Sequence, residues 1–235
     1  MALGDYYAGL EETEKALDQY HAATNSNPKY YPAFLSAGTT LVTAERPEQA
    51  ENLFNAALQL EPNKPHPPFN VADFAADAQV HYYLGNIWLE RGDLGKARAD
   101  FDSAIRDISN YALAIYGLGI VSYQEGKLDE ALRHLNQVIQ LGPREYPNAY
   151  FVRGGIRADR GQFTEGLSDL DLAIEIYREQ ATALDAKAKV DEKNGFTRRA
   201  EGERRRKAHI ESTLEKALQV KKTVEALKGT GVWPF

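Results

Sequence analysis

The sequence predicts an all-α protein built as a solenoid of antiparallel helix pairs, and three observations carry that expectation. Residues recur in steps of 34: Gly85, Ala97, Phe101 and Ala104 return as Gly119, Ala131, Leu135 and Val138. The same series stands earlier as Gly38, Ala50, Phe54 and Ala57, displaced by one insertion of 13 residues. Within each step two apolar stripes of three-and-four spacing flank a short break, so a unit is a helix, a turn and a second helix. Such a unit cannot bury its apolar face alone, and neighbours must stack to make a continuous core.

Each element has a local reason. Tyr83-Leu84-Gly85 to Leu89 opens one unit, Arg91-Gly92-Asp93 breaks it, and Ala97, Phe101, Ala104 and Ile105 form the stripe of its second helix. Gly85 and Ala97 let the two helices approach closely, and Phe101 fills the space where they diverge. Pro62 and Pro143 follow second helices, where a helix must stop. Pro65-His66-Pro67-Pro68 cannot be helical; Asn70 then resembles an N-cap, with Asp73 three residues on, opening a first helix longer than its siblings. This insertion reads as a spacer, with a partner-contacting loop as the alternative.

These residues resemble the tetratricopeptide repeat. That family carries tryptophan, leucine, glycine or alanine, and tyrosine at fixed places of its first helix. Alanine, phenylalanine and alanine follow at fixed places of the second, and proline closes the unit. Residues 31–64 supply Phe34, Ala37, Gly38, Leu41, Ala50, Phe54, Ala57 and Pro62 at those places. Residues 78–111 supply His81, Leu84, Gly85, Trp88, Ala97, Phe101, Ala104 and Ser109. Residues 112–145 supply Ile115, Leu118, Gly119, Ser122, Ala131, Leu135, Val138 and Pro143. Residues 147–180 match more weakly: Tyr150, Gly154, Leu170 and Ala173 fit, while Arg153 replaces the leucine and Gly166 an alanine.

Both ends depart from the pattern. Leu3, Gly4, Tyr7, Ala16, Tyr20, Ala23 and Pro28 match a first repeat whose opening residues would precede Met1. Either its first helix is short, or the chain is cut from a longer protein. Ala181 to Gly195 reads as a sixth first helix, after which Arg204 stands where an aromatic belongs. The expected organisation is therefore a repeat array over residues 1–195, with units at about 1–30, 31–64, 78–111, 112–145 and 147–180 and a partial one at 181–195. A Pro-rich insertion occupies 65–77, a long basic capping helix 196–228 and a flexible tail 229–235, where Trp233-Pro234-Phe235 lies. The resemblance implies that the solenoid is a right-handed superhelix.

Composition narrows the function. An apolar fraction of 43% and a charged fraction of 26% are those of a soluble globular chain. A net charge of -6 argues against general nucleic-acid affinity. The absence of cysteine excludes disulfides and thiolate metal sites but leaves the redox compartment open. The longest apolar run, Ala112 to Val121, is about half a membrane span, and no basic-then-apolar leader opens the chain. A soluble protein, cytoplasmic by default, is expected.

Chemistry has little support. The histidines at 21, 66, 81, 134 and 209 are scattered, and no two share a helix face at ligand spacing. His81, at the family's tryptophan place, reads as a packed ring. Gly117 and Gly119 lie inside a helix and cradle no phosphate. Asp169 and Asp171 read as solvated faces. No nucleophile sits in a motif, so no catalytic residue, metal or cofactor is expected.

What remains is binding. The resemblance implies that first helices line a concave groove, which places Leu35, Thr39, Val42, Tyr82, Asn86, Leu89, Glu90, Tyr116, Ile120, Tyr123, Gln124 and Phe151 on it, with Ala158 and Asp159 near its end. Aromatic anchors beside amides suit a peptide or helix whose apolar side chains enter pockets. The alternative is that Tyr82, Asn86, Tyr116 and Tyr123 are framework residues of the repeat. The lysines, arginines and asparagines with which some relatives clamp acidic chaperone tails are replaced by Leu35, Ser36, Tyr83, Leu113, Tyr116 and Gly117, so that clamp is absent. The asparagine ladder of one glycosyltransferase family is absent too.

From Lys193 to Lys228 eleven basic and five acidic residues give a local charge of +6. A nucleic-acid or anionic-membrane patch is one reading. A solvated cap, its arginines paired to acidic neighbours, is the preferred one, because consecutive arginines point around a helix. Farther on, Ile210, Thr213, Leu214, Ala217, Leu218, Val220, Val224 and Leu227 form an apolar seam that must pack on the preceding helices, on a second copy or on another protein. The sequence thus predicts a non-enzymatic adaptor or assembly scaffold that binds a protein or peptide. The alternatives are a self-assembling scaffold and the non-catalytic arm of a larger enzyme or receptor.

Overall fold

A computed structural model describes residues 1–60 and 71–230. The prolines at 65, 67 and 68, the cap expected at Asn70 and the Trp233-Pro234-Phe235 tail lie outside the described residues. Eleven helices and no strand occur among the described residues. They are α1 (Ala2–Gly9), α2 (Thr13–Ser26), α3 (Tyr31–Thr43), α4 (Pro47–Gln59), α5 (Val71–Glu90), α6 (Leu94–Asp107), α7 (Ala112–Gln124), α8 (Leu128–Leu141), α9 (Pro147–Asp159), α10 (Phe163–Lys193) and α11 (Thr197–Thr230). The chain forms two compact units, Met1–Gly126 and Lys127–Phe235. In each, successive helices pack as antiparallel neighbours, the arrangement of a helical repeat.

The first unit shows how the period becomes packing. A ring on each second helix lies against a glycine of its own first helix, sixteen positions earlier: Tyr20 on Gly4, Phe54 on Gly38 and Phe101 on Gly85. A Cβ on Gly85 would stand 2.6 Å from Phe101, so any larger residue would force the pair of helices apart. Phe54 and Phe101 are fully buried. The first helix of the following repeat then covers the other side of the ring. Tyr83 stacks on Phe54 with centroids 5.5 Å apart, and Gly117 makes room for Phe101.

The turns repeat as well. Glu11, Glu45, Gly92, Gly126, Gly161 and Gly195 all have positive φ, and each stands seven residues after the packing position of its first helix. The residue after the turn donates its N–H five positions back, as Arg46 does to Leu41 and Asp93 to Trp88, which closes the helix in a Schellman turn. Four of these positions are glycine, as left-handed backbone favours. Glu11 and Glu45 hold the same conformation at a steric cost.

Two elements are longer than their siblings, and one of them departs from the expectation. The helix α5 has 20 residues against 13 in α3, in line with the longer helix expected after the insertion. However, the break expected near residue 180 does not occur: α10 runs unbroken for 31 residues, joining the second helix of one repeat to the first of the next. Between Gly166 and Asn194 it contains neither proline nor glycine, so nothing interrupts the hydrogen-bond ladder. The 34-residue α11 then returns antiparallel along it.

Candidate binding faces

In the first unit the expected groove residues sit on α3, α5 and α7. Leu35, Thr39 and Val42 are half-buried on α3, as are Tyr82, Asn86 and Leu89 on α5 and Tyr116 and Ile120 on α7. Gln124 is exposed, and Tyr123 is 41% exposed.

Their environments separate framework from free surface. The Tyr82 ring lies 5.6 Å from Tyr111 and 6.3 Å from Phe101, so it belongs to the packing of its own repeat. The Asn86 amide donates to the Tyr82 carbonyl at 3.0 Å, and the Thr39 hydroxyl donates to the Ser36 carbonyl at 3.0 Å. Burial, helped by neighbouring Tyr82, pushes the Tyr116 phenol up to about 12. Leu35, Val42, Leu89 and Ile120 keep part of their apolar surface outward, and Tyr123 keeps more of it. Two clefts open between successive first helices. One of 310 Å³ is lined by Ala8, Glu11, Thr13, Thr39, Thr40, Thr43 and Ala44. The other, of 390 Å³, is lined by Val42, Glu45, Pro47, Tyr83, Asn86, Ile87 and Glu90.

The second unit requires a correction. Phe151 does not face an open groove: it packs against apolar clusters that include Ala217 and Val224 of α11. Gly155, Ala158 and Asp159 share a 180 Å³ cleft with Gln219, Val220, Thr223, Val224 and Leu227. The helix α11 thus takes the side of α9 and α10 that a following first helix would take, as α5 does on α3 and α4. The apolar seam is engaged in the same contact. Ala217 and Val224 are buried, Ile210 and Leu214 pack beside Tyr150 and Tyr177, and Leu227 lines the cleft. Of the seam residues offered for a second copy, Leu218 alone is exposed. At the other end of the chain, Leu3 and Tyr6 of α1 are exposed.

Polar pairs were the least visible feature of the sequence. Asp169 is buried rather than solvated: Arg153 grips both its oxygens, at 2.6 and 2.8 Å, and Arg157 reaches it at 2.7 Å. Arg153 also donates to Asn136 at 2.6 Å. The arginine that displaces the family's leucine therefore completes a buried network. His81 is hydrogen-bonded to Asp100 at 2.8 Å. The basic residues of α11 pair with acids of α10: Arg204 with Glu192 at 2.5 Å, Lys207 with Asp185 at 3.0 Å, and Lys221 with Asp171 at 2.6 Å.

Among the described residues no group of three or more side chains could hold a metal ion, and no helix is long and apolar enough to cross a membrane.

Comparison with known proteins agrees with the repeat geometry. A tetratricopeptide repeat family model matches residues 1–67, 35–112 and 116–185. The chain is 27% identical over 153 residues to Tetratricopeptide repeat protein 8 of Caenorhabditis elegans, covering 55% of this chain and 29% of that protein. It is 25% identical over 178 residues to human Tetratricopeptide repeat protein 6, covering 76% and 31%. It is 24% identical over 181 residues to human Protein O-mannosyl-transferase TMTC3, covering 75% and 18%. The chain therefore spans less than a third of the length of these curated relatives. Among solved structures, MamA aligns with a TM-score of 0.62 at 21% identity, over 77% of this chain and 98% of MamA. YrrB, described as a tetratricopeptide protein with an unusual peptide-binding site, aligns with a TM-score of 0.53 at 21% identity, over 86% and 97%. With its repeats, turns and packing pairs matched along most of its length, the chain belongs to the tetratricopeptide repeat family, whose repeats serve in general as protein-interaction scaffolds.

Proposed function

We propose that the chain is a non-enzymatic adaptor that takes an extended or helical peptide segment along the first helices α3, α5 and α7. The observation that carries this reading is the line of outward apolar surface at Leu35, Val42, Leu89, Ile120 and Tyr123 beside a 390 Å³ cleft. Side chains of this kind bind when a partner's apolar residues displace water from them. The polar groups of Asn86 and Gln124 would set register. Phe151 has no part in this face, because α11 covers it.

The test is selection of random dodecapeptides on the full chain, followed by affinity measurement on a variant carrying Ile120→Ser and Tyr123→Ala. Both positions have outward surface, so the variant should keep its helical circular-dichroism spectrum while losing about tenfold or more in affinity. Unchanged affinity in the folded variant would defeat the reading.

A second reading is favoured by the match to a stretch of an O-mannosyl-transferase: the same scaffold could act as the repeat arm of a larger enzyme. A catalytic domain encoded in the same full-length reading frame would establish it. A reading frame encoding repeats alone would remove it.

A further inference from the structure

The cleft between α3 and α5 combines an apolar wall with unneutralised acid. Val42, Ile87 and the Tyr83 ring supply the wall, and Glu45 and Glu90 stand among its lining residues. Both glutamates are exposed, and neither has an ion-pair partner among the described residues. This differs from Glu51, Glu125 and Glu14 nearby, which pair with Arg91, Arg98 and Arg46. The surrounding field has the same sign: residues 1–126 hold seventeen acidic and eight basic side chains, a net of -9. A long side chain with an aliphatic stem and a cationic head matches both parts of such a cleft.

We infer that the α3–α5 cleft takes an arginine or lysine of the bound segment, its stem against Val42 and Ile87 and its cation between Glu45 and Glu90. The partner is then a peptide segment in which a basic residue is flanked by apolar ones. This rests on the groove reading above and adds the chemistry of one pocket. Glu45 also keeps a left-handed backbone, φ 57°, at a turn where four later repeats have glycine. A carboxylate is thus retained at the cleft in a conformation a glycine would hold with less strain.

The experiment is selection of phage-displayed random dodecapeptides on the full chain, read for composition and then repeated with Glu45→Gln, Glu90→Gln protein. The expected result is enrichment of an Arg or Lys beside apolar residues. A synthetic enriched peptide should bind the double variant about tenfold more weakly and lose affinity with rising salt. Its citrulline counterpart should lose a similar factor on the unaltered protein. Glu45→Gly should weaken binding while raising the melting temperature, which separates a ligand role from a structural one. Enriched peptides that respond to Ile120→Ser, Tyr123→Ala but show no basic preference and ignore the glutamate variants would overturn this inference and leave the groove standing. No enrichment at all would overturn both.

Discussion

Phe101 and Gly117 meet across the junction of two successive repeats: a Cβ on Gly117 would stand 2.5 Å from the Cζ of the Phe101 ring. Glycine inside a helix normally costs about 1 kcal/mol relative to alanine. Here the space it leaves is filled by a ring that is fully buried. Gly117→Ala is therefore expected to destabilise the chain by about 1–3 kcal/mol through overpacking, against its helix propensity. Gly202 in α11 has no atom near the Cβ it would carry, so Gly202→Ala should stabilise by about 0.5–1 kcal/mol. Urea denaturation of the two variants checks the opposite signs.

Arg153 and Asp169 give a second test. Restoring the family's leucine with Arg153→Leu removes the bidentate partner of a buried carboxylate and should cost about 3–4 kcal/mol. Arg157 still reaches Asp169 at 2.7 Å but cannot replace the bidentate pair; adding Asp169→Ala removes the under-paired charge, and the double variant should recover part of that loss. Equal stability of the single and double variants by thermal denaturation would show that the network carries no such energy.

Acid should loosen the distal part of the α10–α11 hairpin first. Hydrogen bonds from Lys189 and Lys207 hold the Asp185 carboxyl at about 2, and Lys187 holds that of Glu203 below its usual value. A carboxyl lowered in the folded state stabilises above its unfolded value and loses that contribution as pH falls through the folded one. Protection of the amides across residues 181–210, taken relative to the intrinsic exchange rate at each pH, should therefore fall from about pH 4 towards pH 2. The apolar clusters that hold Phe54 and Phe101 contain no carboxyl group, so the cores of α4 and α6 should respond less.

Removal of residues 208–235 tests the role of α11. Because the segment covers Phe151, Tyr150 and Tyr177, its loss should expose an apolar face and lower stability by several kcal/mol. Light scattering should then show more association than in the intact chain. A truncated chain that turns from dimer to stable monomer would instead place the seam at a self-association interface.

The parts of this fold that were legible in the sequence are those that recur. Gly4–Tyr20, Gly38–Phe54 and Gly85–Phe101 share one spacing, so each supports the others even where the first unit starts abruptly. Single events were not legible. Arg153 and Asp169 occur once, and each alone looks like a solvated charge until the helices bring them together. The continuity of α10 rests on missing breakers across residues 167–193, a weaker signal than the period that suggested a break. The covering of Phe151 depends on the path of α11, which local patterning does not encode; the seam required a partner without saying which. The positive-φ turns could have been found, since Gly92, Gly126, Gly161 and Gly195 keep register with the repeat.

The central claim is that the first-helix faces of residues 1–126 bind a peptide segment, and hydrogen–deuterium exchange with a selected dodecapeptide tests it most directly. The account predicts slowed exchange in α3, α5 and α7, centred on Val42, Glu45, Glu90 and Ile120, with α10 and α11 unchanged. Protection confined to α10 and α11, with α3, α5 and α7 exchanging as in the free chain, would contradict it.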